Sequence, residues 1–390
     1  MKWKFYSLAF VAGMSILTAC SSDDNNDNDG NGGNGNGNEI ENGTILKGTI
    51  TSDVTLAAGN TYKLSGEYIV EEGATLHIEE GVKIIAVYDD IADYILVKQG
   101  GKINAVGTPD KPIVMTSEKE EPGARGGIHI CGRVHTNAEG GKGSSEIGGA
   151  VYGGNDDADN SGTLQYIRLE YTGFAFDEEH EANGISFYGV GNGTIVDHCQ
   201  AYKGSDDGFE FFGGSVNVSN LVAVSCSDDS FDWTEGWNGK GTNLVAYQED
   251  KSTLGYDCDC LMECDNNGSN NAATPVAHPV LKNLILVGNG GSKQGIRLRA
   301  GTEVEIDNAK VCGKGQPLTV ETALTENALK NGTSKLTNIT LTSELSCKEG
   351  IYTHADFIAV TSNKVDANLS YSSFEDIKKE CSWMNGSWVK

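Results

Sequence analysis

The sequence contains little proline and few basic residues. Proline occurs 6 times and glycine 51 times in 390 residues, which favours many tight turns and few helices. Lys and Arg number 29 against 55 Asp and Glu, so the formal net charge is −26 at pH 7. Such a surface repels nucleic acid, anionic lipid headgroups and, unless a divalent cation intervenes, acidic glycans. We therefore expect no nucleic-acid partner.

Long apolar runs are also scarce, and the clearest one lies at the N-terminus. It extends from Phe5 to Leu17, follows Lys2 and Lys4, and is too short to span a bilayer. This pattern predicts a signal peptide over residues 1–19. Residues 17–20 (Leu-Thr-Ala-Cys) resemble a bacterial lipoprotein processing box, in which Cys20 becomes the lipidated first residue. A plain signal peptide with a chance cysteine is the alternative.

The segment after Cys20 consists almost wholly of Ser, Asp, Asn, Gly and Glu. Because it cannot bury enough apolar surface to fold, residues 20–43 are expected to form a flexible acidic tether spanning about 26 Å. Residues 21–24 (Ser-Ser-Asp-Asp) resemble the surface-export signal of Bacteroidetes lipoproteins. This resemblance implies an outer-membrane protein that faces the cell exterior and contacts the membrane only through its lipid. We expect a monomer.

Nine cysteines remain besides Cys20, in a compartment that permits disulfides. Cys199 and Cys226 are 27 residues apart, which is close to the length of the sequence repeat in this region, and they are predicted to form a disulfide. Cys347 and Cys381 are predicted to form a second disulfide, which would stabilise the C-terminal end. The others have no assigned pairing, with one pair, a zinc site or free thiols as the possibilities: Cys131, Cys258, Cys260, Cys264 and Cys312.

From residue 44 onward the sequence reads as short strands separated by Gly, Asn and Asp. No amphipathic helix of three turns precedes the C-terminus, where Phe374–Cys381 is a candidate helix or cap. We predict one all-β domain over residues 44–390. The predicted strands are Thr49–Leu56, Thr75–Ile78, Tyr94–Val97, Lys102–Val106, Ile113–Thr116, Ile167–Tyr171, Thr194–His198, Leu221–Ser225, Leu284–Val287 and Ile339–Leu341.

Two segments repeat nearly the same sequence 22 residues apart, at 204–214 and 226–236. Asp206 recurs as Asp228 and Phe209 as Phe231, and a weaker copy at 184–189 is offset by 24 residues. Periods of this length indicate a solenoid, whereas the blades of a propeller would repeat at about 40–50 residues. The sequence therefore predicts a single-stranded parallel β-helix, a solenoid with about a dozen coils.

The repeat would stack acidic side chains about 4.8 Å apart in successive coils. Two carboxylates at that distance repel by about 0.9 kcal/mol in water and about 3.5 kcal/mol at an effective dielectric of 20. Outward alternation, protonation or a hard cation could relieve this repulsion, and Ca²⁺ suits such an oxygen-rich cluster best. The alternative is that these residues only form turns. The predicted metal ligands are Asp206, Asp207, Glu210, Asp228, Asp229 and Asp232.

Two further acidic clusters are interpreted as solvated loops rather than metal sites. They comprise Asp156, Asp157 and Asp159, and Asp257, Asp259, Glu263 and Asp265.

Aromatic residues accompany the acidic repeats. Alternation places Phe209 and Phe211 on one face of a strand and Glu210 on the other, so most of these rings are expected in the core. Trp233 and Trp237 lie beside polar residues and are the candidate ligand-binding residues that would stack on a sugar ring, although core packing is the favoured interpretation for them too.

The same acids offer an enzymatic interpretation. Asp207 with Asp228 or Asp229 resembles the paired carboxylates of polygalacturonase-type glycosidases, but that family's Gly-His-Gly and Arg-x-Lys motifs are absent. A polysaccharide lyase would need calcium and a neighbouring basic side chain. By residue type alone, the basic candidates are Arg168, Lys203, Arg297 and Arg299, with the last two interpreted as a solvated face. His180 is interpreted as a loop residue.

Motifs over residues 45–305 resemble a family of secreted β-helix proteins widespread in Bacteroidetes. They include Glu72–Gly81, Gly107–Ile113, Tyr152–Gly162, Asp206–Gly214 and Gly295–Thr302. The resemblance implies a pectate-lyase-like right-handed β-helix and gives no activity. Where relatives usually carry Trp-Gly-Gly, this chain has Arg125-Gly126-Gly127, a change that removes a packing aromatic.

The sequence leads to one leading hypothesis and two alternatives. The leading hypothesis is a non-catalytic glycan-binding or adhesin-like surface module with structural calcium, whose partner is a polysaccharide or a host-surface glycan. The first alternative is a calcium-dependent polysaccharide lyase or a glycosidase of the β-helix type. The second is a purely structural surface spacer.

Overall fold

The computed structural model describes residues 38–89, 91–176 and 180–390. The predicted signal peptide, the predicted lipidation site Cys20 and most of the predicted tether lie outside these residues. The described chain begins with a strand at Asn38 that pairs with a later strand, so the β-helix starts before the predicted boundary at residue 44.

Twenty-five strands join through parallel pairings into one coiled sheet, and the two others form a small antiparallel pair, β11 with β12. The fold is a right-handed parallel β-helix, as predicted. The strands are β1 Asn38–Ile40, β2 Ile45–Ile50, β3 Val54–Leu56, β4 Thr61–Val70, β5 Thr75–Ile78, β6 Lys83–Ala86, β7 Tyr94–Val97, β8 Lys102–Val106, β9 Ile113–Ser117, β10 Ile128–Cys131, β11 Gly143–Ser144, β12 Val151–Tyr152, β13 Gly162–Glu170, β14 Ile185–Tyr188, β15 Ile195–Tyr202, β16 Phe209–Phe212, β17 Asn217–Val224, β18 Phe231–Thr234, β19 Lys240–Tyr247, β20 Met262–Cys264, β21 Val280–Val287, β22 Gln294–Leu298, β23 Glu305–Cys312, β24 Gln316–Val320, β25 Lys335–Leu341, β26 Ser346–Cys347 and β27 Lys364–Val365.

The coils stack into three parallel sheets. Sheet A contains β7, β10, β14, β16, β18, β20, β22, β24 and β26, together with the second halves of β2 and β4. Sheet B contains β1, β3, β5 and β8 and then the first halves of seven long strands, from β13 to β25. Sheet C contains the first halves of β2 and β4, then β6, β9, the second halves of those long strands and β27. Sheet B therefore has eleven rungs, close to the predicted dozen.

Each long strand bends sharply between sheets B and C at one residue with positive φ. These residues form a column that begins with Tyr166 and His198 and continues with Asn220, Asn243, Asn283, Asn308 and Asn338. Asn243 donates from Nδ2 to Asn220 Oδ1 at 2.8 Å and accepts from Asn283 Nδ2 at 3.0 Å. Asparagine tolerates this left-handed conformation better than most residues, so the column fixes the corner in coil after coil.

The core is filled by the inward residues of all three sheets. Phe211 stacks on Phe187 at 5.0 Å between ring centroids, and Phe209 stacks on Phe231 at 5.6 Å. Glu210, between the two phenylalanines, points outward as alternation predicted. Stacking of like side chains in successive coils is the expected way for a solenoid to bury its apolar face.

Helices lie mainly near the C-terminal end. They are α1 Lys251–Leu254, α2 Ala323–Asn331, α3 His354–Ala359 and α4 Phe374–Glu380. The predicted helix near Phe374 is confirmed, whereas α2 was not predicted from the sequence. Phe357 of α3 is fully buried in the main core cluster, so α3 closes the end of that core.

The final segment, residues 366–390, does not continue the coils but lies back across the outer face of sheet C. Trp388 is fully buried against the rings of Tyr166 and His198. Ser387 N donates to Pro109 O at 2.8 Å, and Arg168 Nη1 donates to Ser387 O at 2.7 Å. The segment therefore connects the last coils to coils much nearer the N-terminus.

Candidate metal centre

The acidic repeats lie in register on the outer face of sheet A. Glu210 of β16 pairs with Asp232 of β18, and Asp232 pairs with Glu263 of β20. The 22-residue repeat therefore does stack equivalent residues in successive coils. Between β18 and β20 the offset grows to 31 residues, because the segment containing α1 is inserted there. Three carboxylates thus form one column on adjacent rungs.

A second column occupies the corner just before these strands. Asn183 Oδ1 accepts the N–H of Asp207 at 3.2 Å, and Asp207 Oδ1 accepts the N–H of Asp229 at 2.8 Å. Asp229 Oδ1 in turn accepts the N–H of Cys260 at 2.6 Å. Each side chain satisfies a backbone donor of the next coil, so one oxygen of each aspartate is used to form the turn.

The two columns border a cleft of about 360 Å³. Among the described residues, its lining comprises ten carboxylates, one amide and one guanidinium, from Glu146, Glu181, Asn183, Asp206, Asp207, Glu210, Asp228, Asp229, Asp232, Asp259, Glu263 and Arg297. All six predicted metal ligands are among them. The cleft is therefore an anionic site of unusual density on an otherwise regular β-helix.

Several sets of three side chains place their ligand atoms within 4.8 Å of one another. Asp207, Asp229 and Asp232 each belong to two of these sets, which makes them the links between neighbouring groups. The sets are Asp206, Asp207 and Asp228; Asp207, Glu210 and Asp232; Asp229, Asp232 and Glu263; and Asp229, Asp259 and Cys260.

Burial and mutual repulsion raise the pKa of most of these carboxyls. Burial raises the pKa of Asp206 to about 8, with further contributions from the charges of Glu181 and Asp228. Burial raises the pKa of Asp228 to about 6 and that of Glu146 to about 7. The pKa values of four others are raised well above the ordinary range, again first by burial and then by neighbouring carboxylates: Asp207, Glu210, Asp229 and Asp232.

Arginine side chains neutralise only one end of the cleft. Arg297 lies one rung beyond Glu263 and contacts it at 2.8 Å, and it also contacts Glu321 at 3.2 Å. Arg299 contacts Asp265 at 2.7 Å and also pairs with Glu263. The interpretation of both arginines as a solvated face was wrong, because their guanidinium groups pair with acids that the register of sheet A brings beside them.

The residues of the cleft fit a hard divalent cation. Asp232 Oδ1 is buried and has no hydrogen-bond partner among the described residues. Three of the four ligand sets consist of carboxylate oxygens alone, which is the donor type that Ca²⁺ prefers. The fourth set includes the thiol of Cys260. The cleft therefore offers an orphaned acceptor and clustered oxygen donors in one space.

A comparison with protein families identifies the scaffold. The family described as a pectate-lyase-like β-helix domain matches residues 48–390. The chain belongs to this family. No curated protein and no solved structure matches this chain. No helix in the described part of this β-helix protein is long and apolar enough to cross a bilayer.

The predicted catalytic residues divide between two faces of this β-helix. Asp207, Asp228 and Asp229 line the cleft on sheet A. Arg168 lies on sheet C, where it contacts Glu170 at 2.7 Å and the backbone of residues 387 and 388. Arg168 therefore cannot act with those aspartates, since its side chain is engaged by the C-terminal segment on another face.

The prediction that Trp233 and Trp237 bind a sugar ring was wrong. Each is only 1% exposed. Trp237 stacks on Phe211 at 4.1 Å between centroids and donates from Nε1 to Val216 O at 3.2 Å. Trp233 is in register with Phe211 and donates from Nε1 to Thr302 Oγ1 at 3.0 Å. Their polar sequence neighbours alternate outward while both indoles remain in the core.

Neither predicted disulfide forms, and all nine described cysteines are free. Cys199 is in register with Leu221 rather than with Cys226, because the coil here has 22 residues and not the 27 that separate the two cysteines. Cys347 packs on the main core, whereas Cys381 packs in the apolar cluster under the C-terminal segment. The members of each proposed pair therefore lie at different positions around the coil.

Three cleft residues, Asn183, Glu181 and Glu146, were missed, and two, Asp259 and Glu263, were undervalued. Asn183 could have been found, because it precedes Gly184 as Asp207 precedes Gly208 in the weak upstream repeat. Glu263 belonged to a cluster interpreted as a loop. Glu181 follows the loop residue His180, and Glu146 lies in a long insertion without any periodic signal.

Proposed function

We propose that this β-helix protein binds Ca²⁺ in the sheet A cleft and, through the cation, an acidic carbohydrate that it does not cleave. The observation that carries the proposal is the convergence of ten carboxylates on one cleft of about 360 Å³. Turn formation accounts for one oxygen each of Asp207 and Asp229. Arginines pair with Glu263, and Lys293 pairs with Asp259. Neither turn formation nor these ion pairs account for the charge of the other six carboxylates.

A bound cation is the simplest relief for this charge. The sets around Asp207 and Asp232 contain only carboxylate oxygens. These oxygens would fill some of the six to eight coordination positions of a Ca²⁺ ion. A bound cation would neutralise the carboxylates and leave coordination positions for the acidic group of a sugar. The net charge of −26 would otherwise repel such a ligand, which makes binding strictly dependent on the cation.

We propose that the protein does not cleave the carbohydrate because the described cleft lacks a basic side chain suited to a lyase reaction. A lyase needs a side chain that can accept a proton beside its substrate. Arg297 is the only nitrogen base lining the described cleft. Burial lowers the pKa of Arg297, but hydrogen bonds and charge from Glu321 and Glu263 outweigh this and raise it overall, so the guanidinium stays protonated. Arg297 is therefore better suited to attract an anion than to abstract a proton.

The cellular setting of the proposal comes from the sequence alone. The N-terminal pattern at residues 1–20 and the acidic segment after it support a lipid-anchored protein on the outer face of the outer membrane. A surface position would bring the cleft into contact with polysaccharides of the surroundings or of a host. We propose these as the partners, with the protein acting as a monomer.

Calcium titration of wild type and of Asp232→Asn tests the metal centre. Calorimetry should show binding to wild type, and affinity should fall at least about tenfold in the variant because one charged ligand is lost. A hundredfold excess of Ca²⁺ over its Kd should raise the unfolding free energy of wild type by about 2.7 kcal/mol. Asp157→Asn, in a separate groove, is the matched control and should behave as wild type. Equal stability in CaCl₂ and EDTA, with no heat of binding, contradicts the proposal.

Glycan assays then separate the three functional alternatives. Oligogalacturonate, alginate and chondroitin sulfate oligosaccharides are mixed with the protein in CaCl₂ and in EDTA. Binding in CaCl₂ alone, without new reducing ends or unsaturated products, is the expected result. Product formation that Asp207→Ala abolishes would instead favour the lyase or glycosidase. Calcium binding with no glycan retained would favour a structural spacer.

A further inference from the structure

A second groove lies at the opposite end of the strands that carry the acidic cleft. Residues before and within β16 and β18 line that cleft, whereas the groove lies at the turns that follow β14, β16 and β18. Each of these strands has four residues and spans about 13 Å, which separates the groove from the cleft. The groove has a volume of about 400 Å³, within the range of small-molecule sites. The three turns and the strand starts after them contribute Asn192, Ser215, Asn217, Asn238 and Lys240.

The long insertion between β10 and β13 forms the facing wall of this groove, with His135 and Asp157. His135 Nε2 donates to Gly236 O at 3.0 Å. Asp157 O accepts the N–H of Asn192 at 3.2 Å and the hydroxyl of Ser215 at 3.4 Å. The wall is therefore attached to the turns by hydrogen bonds, so a ligand would enter a groove that is already formed.

Several side chains of the groove have unused hydrogen-bonding capacity. Within the described part of the chain, the side-chain amides of Asn192 and Asn238 make no hydrogen bond, and the Lys240 ammonium makes no ion pair. Asn217 Oδ1 accepts the N–H of Lys240 at 3.0 Å, which leaves the NH₂ group of Asn217 available. At the corner between sheets B and C, by contrast, Asn243 bonds asparagines of the coils on both sides. The groove therefore presents polar groups that the fold does not use.

We infer that this groove binds a neutral, polyhydroxylated sugar without calcium. An asparagine amide both donates and accepts, so the free amides match sugar hydroxyls, which also do both. The lining balances the Asp157 carboxylate against the Lys240 ammonium, so it does not select an anion or a cation by charge. All lining residues in the described part of the chain are polar, which disfavours an apolar ligand such as a lipid. This inference does not depend on calcium in the acidic cleft and adds a second class of ligand.

The test measures sugar binding by the full chain in EDTA, which keeps calcium out of the acidic cleft. The probes are cello-, xylo-, manno- and laminari-hexaose, with oligogalacturonate as the acidic comparison, and titration calorimetry gives the affinities. Asn238→Ala, Lys240→Met and the double variant are compared with wild type. Lys102→Met is the matched control, because Lys102 is another exposed lysine of sheet B without an ion pair among the described residues. All three positions are exposed, so each variant should keep the wild-type melting temperature.

At least one neutral hexaose should bind wild type in EDTA, whereas oligogalacturonate should not bind. Each single substitution in the groove should weaken binding about threefold to tenfold, the effect of one lost hydrogen bond, and the double variant should lose at least about tenfold. Lys102→Met should bind as wild type. The inference is overturned if none of the four hexaoses binds, or if the double variant binds as wild type does. A hexaose that binds only in CaCl₂ would belong to the acidic cleft, which overturns this inference and leaves the proposed function standing.

Discussion

At the scale of single residues, Asp207 and Asp229 combine two roles. Each gives one oxygen to a backbone N–H of the next coil and also belongs to sets of clustered ligand atoms. Their turn role alone would be filled by asparagine, as Asn183 does in the preceding coil. The negative charge at these two positions is therefore the part that the fold itself does not require.

Arg125 and Asp93 are two buried, oppositely charged residues with incomplete hydrogen bonding. Arg125 is fully buried, and its Nε and Nη2 have no hydrogen-bond partner among the described residues. Asp93 is also fully buried, and its Oδ2 lacks a partner as well. Burial lowers the pKa of Arg125 to about 10 and raises that of Asp93 to about 7, while each charge favours ionisation of the other. Buried groups of this kind need a partner or an ordered water.

Replacing Arg125 should therefore destabilise the protein in a pH-dependent way. Arg125→Met removes the cation but keeps most of the volume, so at pH 8 Asp93 should bind a proton instead of remaining an uncompensated carboxylate, which adds about 1 kcal/mol to the cost of the substitution. At pH 5 Asp93 is protonated in both proteins, and the cost should be clearly smaller. Urea unfolding at the two pH values measures the difference. In an Asp93→Asn background the pH dependence of the cost should vanish, and its persistence would point to Glu170 instead.

At the scale of structural elements, the corner between sheets B and C is the most regular feature of the fold. The asparagine column combines left-handed backbone conformations with amide hydrogen bonds from one coil to the next. Neither contribution is visible from one asparagine in isolation. The corner is stable because the same side chain recurs at the same point of each coil.

Substitutions at Asn243 should separate these two contributions. Asn243→Ala loses two amide hydrogen bonds and places a Cβ-bearing residue without a local polar group at φ 59°, so it should lower the unfolding free energy by about 2–3 kcal/mol. Asn243→Gly loses the same bonds but relieves the strain, and it should cost about 1 kcal/mol less. Denaturant midpoints measure both. Equal losses would mean that backbone strain plays no part at this corner.

The elements also show which features the sequence could predict. The 22-residue repeat predicted the register of β16 with β18, and alternation predicted the outward position of Glu210. The same alternation, through the alignment of Trp233 with Phe211, favoured the core position that this indole has.

Features that depend on insertions were not predictable from periodicity. Glu146 reaches the cleft from a long loop, and Glu263 is displaced from the repeat by the insertion that carries α1. Local sequence does not encode where such a loop returns to the sheet. The burial of Arg125 and the path of the C-terminal segment likewise depend on contacts between residues far apart in the chain.

At the scale of the whole molecule, the acidic cleft links stability to pH. Folding raises the pKa of Asp206 to about 8, of Glu146 to about 7 and of Asp228 to about 6. A group whose folded pKa is raised contributes stability that is fully present below its unfolded pKa and is lost as pH rises through the folded value. The cleft therefore favours the folded state at about pH 4 and opposes it increasingly toward about pH 8.

Thermal unfolding in EDTA should accordingly show a melting temperature that falls between about pH 5 and about pH 8. Saturating Ca²⁺ should reverse much of this loss, because the cation binds the deprotonated carboxylates and its affinity rises with pH. Scanning calorimetry across this range with and without CaCl₂ provides the measurement. A melting temperature that rises with pH in EDTA would show that the cleft acids are ionised without penalty.

The C-terminal segment has a consequence for the way the whole molecule comes apart. In a solenoid each coil touches only its neighbours, so coils can fray one at a time from either end. Here Ser387 contacts Pro109 and Trp388 contacts Tyr166, so the segment that follows the last coil is joined directly to coils much nearer the N-terminus. The coils between these contacts and the C-terminal end are therefore held in a closed loop of the chain. They cannot unfold one by one from the C-terminal end until the contacts of Ser387 and Trp388 break. We therefore expect loss of the structure to be cooperative and resistance to mechanical pulling along the axis to depend on a handful of side chains outside the coils.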